Sequence, residues 1–268
     1  MSELYDRFSS LVVRGPVGGV LTVTLSGPKL NAVDAATHTE LVDIWTVVDR
    51  DPDVSAVLLN GEGKGFSAGA TFDFLESLVT DFAVRVRVMR EGRDLVYNML
   101  NCSKPIVSAI HGPAYGAAMV AGLLADVSVV ARSAQLVDGH TRIGLAAGDH
   151  ASLIWPLLCG MAKAKYHVLL CEPLNGEEAE RLGLVSLCVD DADLVARSEQ
   201  IAEQLAAGSK TAIRWTKLSM NNLYRALGPV FDASLGLEFV GLGGPDFMEG
   251  VAALREGRAP IFAGPASE

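Results

Sequence analysis

The apolar positions of this chain fall into short blocks whose spacing changes along its length. Leu11–Arg14 and Val20–Leu25 are two apolar runs separated by Gly15, Pro16, Gly18 and Gly19, which predicts two strands joined as a hairpin. Asp34 stands where an N-cap would, Leu41, Ile44, Trp45 and Val48 recur at helical spacing, and Asp51-Pro52 ends the run. The spacing predicts a helix over about 35–50. Ser55–Leu59 is a continuous apolar strand, Gly61 to Gly69 is a glycine-rich loop, and Phe82 to Leu100 sets Val86, Met89, Val96 and Leu100 on one side of a second helix. The cycle returns as a strand at 106–110, a helix from about 116 and a strand at 127–131. Such repetition predicts an α/β core of parallel strands with helical crossovers. After Asp149 the pattern is almost wholly helical, with tail helices over roughly 191–207, 209–223 and 228–242.

One stretch imitates a membrane span, because Ile106 to Ala125 contains no Asp, Glu, Lys or Arg. His111, Gly112 and Pro113 break it in the middle, so it reads as a buried strand, a turn and a buried helix. No membrane association is expected. Met1 to Ser10 carries Glu3, Asp6 and Arg7 and does not resemble a signal peptide. No Ser/Gly/Pro-rich linker divides the chain, so residues 1–190 read as one core and 191–268 as its helical extension. Trp215, Leu223, Phe239 and Leu242 of that extension are apolar positions that would suit a subunit interface.

Half of the 268 residues are apolar, enough for a sizeable core, and 22 basic against 32 acidic residues leave a formal charge of −10. That balance repels phosphate backbones and disfavours nucleic acid as a partner. Cys102, Cys159, Cys171 and Cys188 form no CxxC pair, sit in apolar neighbourhoods and look like core. They suggest neither a zinc ribbon nor a disulfide scaffold, and they fit a reducing cytoplasm.

The loop Gly61-Glu62-Gly63-Lys64-Gly65-Phe66-Ser67-Ala68-Gly69-Ala70 could be a plain tight turn. Its small residues could equally let backbone N–H groups approach a ligand oxygen. It is no Walker loop, since Lys64 is followed by Gly65 and not by Ser or Thr.

That loop and three other passages together resemble the crotonase, or enoyl-CoA hydratase/isomerase, superfamily. Pro28-Lys29-Leu30-Asn31-Ala32 is similar to its first coenzyme A loop, and Gly65 to Ala70 to its Phe-Ser-Ala-Gly-Ala-Asp signature. Lys104 to Gly116 resembles the Lys-Pro strand leading into its second oxyanion loop, and Glu249 to Phe262 its closing motif. The resemblance implies a crotonase-like spiral of ββα units with a C-terminal helical trimerisation region, assembling as a homotrimer or a dimer of trimers. It implies acyl-CoA substrates, with coenzyme A entering as part of the substrate and no separate cofactor or metal. It maps an oxyanion hole onto the N–H groups of Ala70 and Ala117, and substrate contacts onto Lys29, Ala32, Ala68, Val120 and Asp138. Ala117 stands where glycine is usual, which is costly only if its φ is positive.

The departures from the family pattern are specific. Where ordinary hydratases place their two catalytic glutamates this chain has Val120 and His140, and Thr71 replaces the acid after the first oxyanion residue. Another base is required. The passage Asp138 to His150 supplies His140 and Asp149, whose separation of nine suits two sides of a folded loop. A carboxylate holding one imidazole nitrogen orients the ring and makes it more basic. The same passage, with Trp155-Pro156 after it, resembles the β-diketone hydrolases of the superfamily, which cleave a carbon–carbon bond. Two polar residues of that branch fall by counting at Val33 and Val240, with Glu238 near the second as a substitute or as a solvated helix position.

Plainer roles stand beside these. Asp149 could only cap the helix that follows, His150 reads as exposed or structural, and His111 as part of a turn. Arg85, Arg87, Arg90 and Arg93 are most simply a solvated helix face, though they could meet coenzyme A phosphates. The expected function is hydration or hydrolysis of an acyl-CoA by His140 and Asp149. A β-dicarbonyl substrate is the alternative, and a non-catalytic acyl-CoA binder the second.

Overall fold

The computed structural model describes residues 3–263. The N-terminal hairpin is formed by β1 (Leu11–Val17) and β2 (Val20–Leu25), paired antiparallel with Leu11 opposite Leu25. A single left-handed turn, α1 (Pro28–Asn31), leads into α2 (Ala35–Arg50), whose Asp34 cap accepts the N–H of Thr37. From there the chain repeats one unit. A long strand enters the main sheet, a short strand enters a second sheet, and helices return the chain to the start. The first round is β3 (Ala56–Gly61), β4 (Ser67–Ala68), α3 (Phe72–Thr80) and α4 (Phe82–Asn101). The second is β5 (Ile106–Ile110), β6 (Pro113–Tyr115) and α5 (Gly116–Leu124). The third opens with β7 (Val127–Ala131) and β8 (Gln135–Leu136) and reaches α6 (Ala151–Cys159) and α7 (Met161–Leu170) after a long loop.

The main sheet has the order β1-β2-β3-β5-β7 followed by β10 (Leu187–Val189), and every pair after the hairpin is parallel. Its last member, β10, and the small-sheet strand β9 (Leu174–Asn175) lie in the region whose pattern reads as helical. Strands of three and two residues are too short to show a period of their own. The second sheet runs β4-β6-β8-β9, and its pairing of Ser67 with Ala114 and Ala68 with Tyr115 sets two successive turns of the spiral side by side.

All five residues of β5 are buried, as a strand covered on both faces requires. The polar member, Ser108, donates its hydroxyl to Gly122 O at 2.7 Å. After α8 (Gly176–Leu182), the tail helix α9 (Leu194–Ala207) lies across β3, β5 and β7, with Leu194, Ile201 and Ala202 in the main core. The tail continues as α10 (Lys210–Met220), α11 (Asn222–Ala226), α12 (Gly228–Gly241) and α13 (Pro245–Glu256). It is fastened by charge as well as by apolar packing. Buried Lys217 reaches Asp126 Oδ2 and Lys104 O, each at 2.8 Å, and buried Lys104 donates to Asp51 O and Val54 O. Trp215 and Leu223 are 70% and 73% exposed and form an apolar outer face, whereas Leu242 is 1% exposed and packs inward, against its expected place at an interface. Phe239 is half-buried and packs against the core. Among the described residues no helix is long and apolar enough to cross a membrane. Cys102 and Cys171 are buried, Cys159 and Cys188 half-buried, and all four are free thiols.

Candidate active site

Parallel pairing of β4 with β6 brings the ends of two loops to one point. Gly69 at φ +87° and Gly116 at φ +61° turn both chains immediately after the paired residues. A Cβ on Gly116 would lie 3.2 Å from Gly69 Cα, so the two backbones approach as closely as glycine permits. The next residues are Ala70 and Ala117. Ala70 forms an isolated parallel bridge with Val33, but the bonds of that bridge use Val33 N with Gly69 O and Thr71 N with Val33 O. The N–H of Ala70 has no partner among the described residues. Ala117 is the second residue of α5, where an N–H has no partner within the helix, and Tyr115 supplies no side-chain cap. Its φ is not positive, so alanine replaces glycine here without backbone strain. Both residues line a cavity of about 320 Å³, together with Ala68, Val120 and Val33.

The other pole of the cavity comes from the loop after β8 and from α12. His140 Nδ1 lies 3.0 Å from Asp138 Oδ1, and its Nε2 lies 3.8 Å from Asp149 Oδ2 and 3.9 Å from Glu238 Oε1. Asp138 is therefore the carboxylate that orients the ring. It stands behind His140 and does not line the cavity, contrary to its expected substrate contact. Asp149 accepts the N–H of Ala151 at 3.1 Å as a helix cap and also faces His140 and His150, so capping and proximity to the imidazole coexist. His150, expected at the surface or as a plain structural residue, is fully buried with Nδ1 3.0 Å from Asp149 Oδ1. Glu238 is 7% exposed and points into the cavity, whereas Val240 is 80% exposed and away from it. The solvated reading of Glu238 fails because α12 turns that face inward.

Glycine again permits the approach. A Cβ on Gly148 would lie 2.1 Å from Ser234 O and 2.8 Å from Glu238 Cβ, so only glycine lets α12 rest on this loop. Ser234 donates to Gly148 O at 2.6 Å and its hydroxyl meets that of Ser152 at 2.7 Å. These serines, which fix Glu238 beside Asp149, carry no signal in the sequence.

Electrostatics separates the acids. Burial pushes Glu238 up to about 8, with the charge of Asp149 adding to the rise and that of His140 opposing it. Burial also opposes ionisation of Asp149, but the charges of His150 and His140 outweigh it and hold this carboxyl below its usual range. For His140, burial favours the neutral ring, yet Asp138, Asp149 and Glu238 together hold its pKa well above the ordinary imidazole value. The cluster thus contains an ionised Asp149, an imidazolium and a protonated Glu238 near neutrality. Asp138, His140 and Asp149 each present an atom within 4.8 Å of the others. A cation would fit that spacing only after displacing the proton the imidazole holds firmly.

Of the remaining expected contacts, Lys29 is exposed, Ala32 is half-buried, and neither lines the cavity. They belong instead to a strained turn in which Lys29, Leu30 and Asn31 have φ of 52°, 60° and 57°. Left-handed backbone costs about 1–2 kcal/mol per residue. Buried Asn31 holds it by accepting Gly27 N–H and donating to Glu62 O and Gly65 O, and Ser67 donates to Asn31 O. Arg85 turns back to cap α3 through Leu78 O and Val79 O, and Arg87 pairs with Glu91.

A two-layered spiral whose small-sheet turns set two backbone donors beside a buried acid–base cluster defines the crotonase architecture. The chain belongs to the enoyl-CoA hydratase/isomerase family, whose family model matches residues 16–264. It is 31% identical to 1,2-epoxyphenylacetyl-CoA isomerase of Escherichia coli K12, over 92% of this chain and 95% of that protein. Among solved structures, an enoyl-CoA hydratase/isomerase from Mycobacterium paratuberculosis superposes with a TM-score of 0.88 at 32% identity, covering 92% of this chain and 99% of that one. A β-diketone hydrolase from Anabaena sp. PCC 7120 superposes with a TM-score of 0.82 at 24% identity, over 91% and 98% of the two chains, a likeness of fold alone. The protein is a crotonase-family hydratase/isomerase enzyme.

Proposed function

We propose that this enzyme adds water to, or removes it from, an acyl-CoA thioester through an enolate held by the N–H groups of Ala70 and Ala117. The observation that carries the reading is the convergence in one cavity of those two donors with His140, Asp149 and Glu238. The names of the E. coli and mycobacterial relatives both concern coenzyme A thioesters. Water attacks the β-carbon as its proton passes to Asp149, and the electrons of the double bond move onto the thioester oxygen, where two backbone donors stabilise the charge. Protonated Glu238 then delivers a proton to the α-carbon. This leaves Asp149 protonated and Glu238 ionised, and His140, placed between them and oriented by Asp138, returns the proton. Two acids of opposed pKa with an imidazole between them supply both halves of the transfer without the usual glutamate pair.

The test follows crotonyl-CoA hydration by loss of the conjugated thioester absorbance, with cleavage of a cyclic 1,3-diketone in parallel, for wild type and His140→Ala. Hydration reduced at least about 100-fold by the substitution is expected. Cleavage of the diketone alone would transfer the enzyme to carbon–carbon hydrolysis. Thioester binding with turnover of neither substrate would make it a binding protein, and unaltered hydration in His140→Ala would remove His140 from the mechanism.

The exposed face of Trp215, Met220 and Leu223 on the tail helices supports self-association, and the family resemblance implies a trimer or a dimer of trimers. Sedimentation equilibrium should give a mass three or six times that of the chain, falling on Trp215→Glu.

A further inference from the structure

A second polar group faces the same cavity from a wall that the proposed reaction does not use. His38 lies in the first half of α2, is 6% exposed, lines the cavity and packs on Phe74 with ring centroids 5.5 Å apart. Its Nδ1 lies 2.7 Å from Glu91 Oε2 on α4. Glu91 is itself fixed, since its other oxygen accepts from Thr39 Oγ1 at 3.0 Å and from Arg87 at 2.9 Å. Burial raises the affinity of Glu91 for a proton, but its bond to His38, the charge beside it and its bond to Thr39 outweigh that and keep it ionised. An ionised carboxylate requires a proton on Nδ1, so the ring orientation is determined. Its other nitrogen, Nε2, has no hydrogen-bond partner among the described residues.

The wall around that nitrogen is otherwise apolar. Phe74, Leu78, Val88 and Leu95 of the same wall are buried and apolar. A leucine at position 38 would complete that wall, whereas Nε2, which no side chain pairs and which is not sealed from the cavity, gives it one open polar point. The chemistry of the missing partner is narrowed by charge. Glu91 already faces the ring through Nδ1 and compensates any charge the ring carries, so a substrate carboxylate would find no unpaired cation at Nε2. A hydroxyl serves Nε2 in either protonation state, donating to the neutral ring or accepting from the cation.

We propose that His38, held by Glu91, is a specificity-determining residue that selects acyl groups bearing a hydroxyl beyond the reacting carbons. The proposal rests on the acyl-CoA reading above and deepens it. Butyryl-, pentanoyl- and hexanoyl-CoA, which cannot be hydrated, are titrated calorimetrically beside their ω-hydroxy counterparts. At least one hydroxylated thioester should bind wild type about fivefold more tightly than its parent, the strength of one net hydrogen bond. His38→Leu should abolish or reverse that preference while binding the plain thioesters at least as well. Glu91→Gln, which removes the charge that fixes the proton on Nδ1, should reduce the preference and serves if the leucine variant does not fold. Equal binding of all pairs by wild type, or a preference retained in both variants, would overturn the role of His38. Failure of every thioester to bind would overturn the acyl-CoA reading and this proposal together.

Discussion

Lys217 and Glu238 are buried to nearly the same degree, at 5% and 7% exposure, yet the charged groups around them are satisfied very differently. In the lysine cluster each ammonium donates to backbone carbonyls, Lys217 also meets Asp126, and Asp126 in turn accepts the N–H of Ile106. Among the described residues no side-chain atom of Lys104, Lys217 or Asp126 is both buried and unpaired. In the cavity cluster, Glu238 Oε2, Asp138 Oδ2 and the Nε2 of His150 find no partner among the described residues, and His140 Nε2 stands almost 4 Å from both acids it faces. Removing water from a charge is repaid only by complete pairing. The first cluster therefore ties the tail to the core, whereas the second leaves unpaired polar capacity facing the cavity.

Three substitutions would break or sharpen that contrast. Asp149→Asn keeps the acceptor that caps α6 but removes the base and the charge facing His140 and His150, and hydratase turnover should fall by about 100-fold or more, with a smaller loss of thermal stability at neutral pH. A variant that unfolds early and retains turnover would erase the distinction. Lys217→Met takes away the partner of Asp126 and the donor to Lys104 O, and denaturant unfolding should show a loss of about 2 kcal/mol while activity per folded molecule is unchanged. The smallest effect concerns pH. A carboxyl raised from its unfolded value of 4.5 to about 8 contributes its full share of stability below pH 4.5 and loses it as pH rises through 8. Between pH 6 and 8 wild type should lose about 1 kcal/mol per pH unit relative to Glu238→Gln. Parallel stability curves for the two proteins would show that Glu238 is not held protonated by burial.

The elements that were legible have periods of their own. The helix expected over 35–50 is α2, the strands at 106–110 and 127–131 are β5 and β7, and the hairpin is present with β1 running three residues further, to Val17. The ordered motifs placed Ala70 and Ala117 beside one cavity, because a strand followed by glycine and a helix start is a local arrangement. His140 and Asp149 were legible as a pair by their chemistry, but Asp138 was assigned to substrate although it is the nearer partner of the ring. A residue two positions away on an irregular loop can face either direction, and no pattern reports which.

His38, Glu91, Ser234 and the inward turn of Glu238 could be placed only by tertiary packing. His38 and Glu91 meet across 53 positions, and Ser234 and Gly148 across 86. Composition, motifs and local spacing determine which backbone donors and which ionisable groups this chain possesses, since hydrogen-bonded turns and caps involve near neighbours. Which acid faces which nitrogen, and which of them keeps its proton, follows from burial and from charges brought together by distant elements. Those fields extend through space between packed elements, so only the tertiary structure decided them.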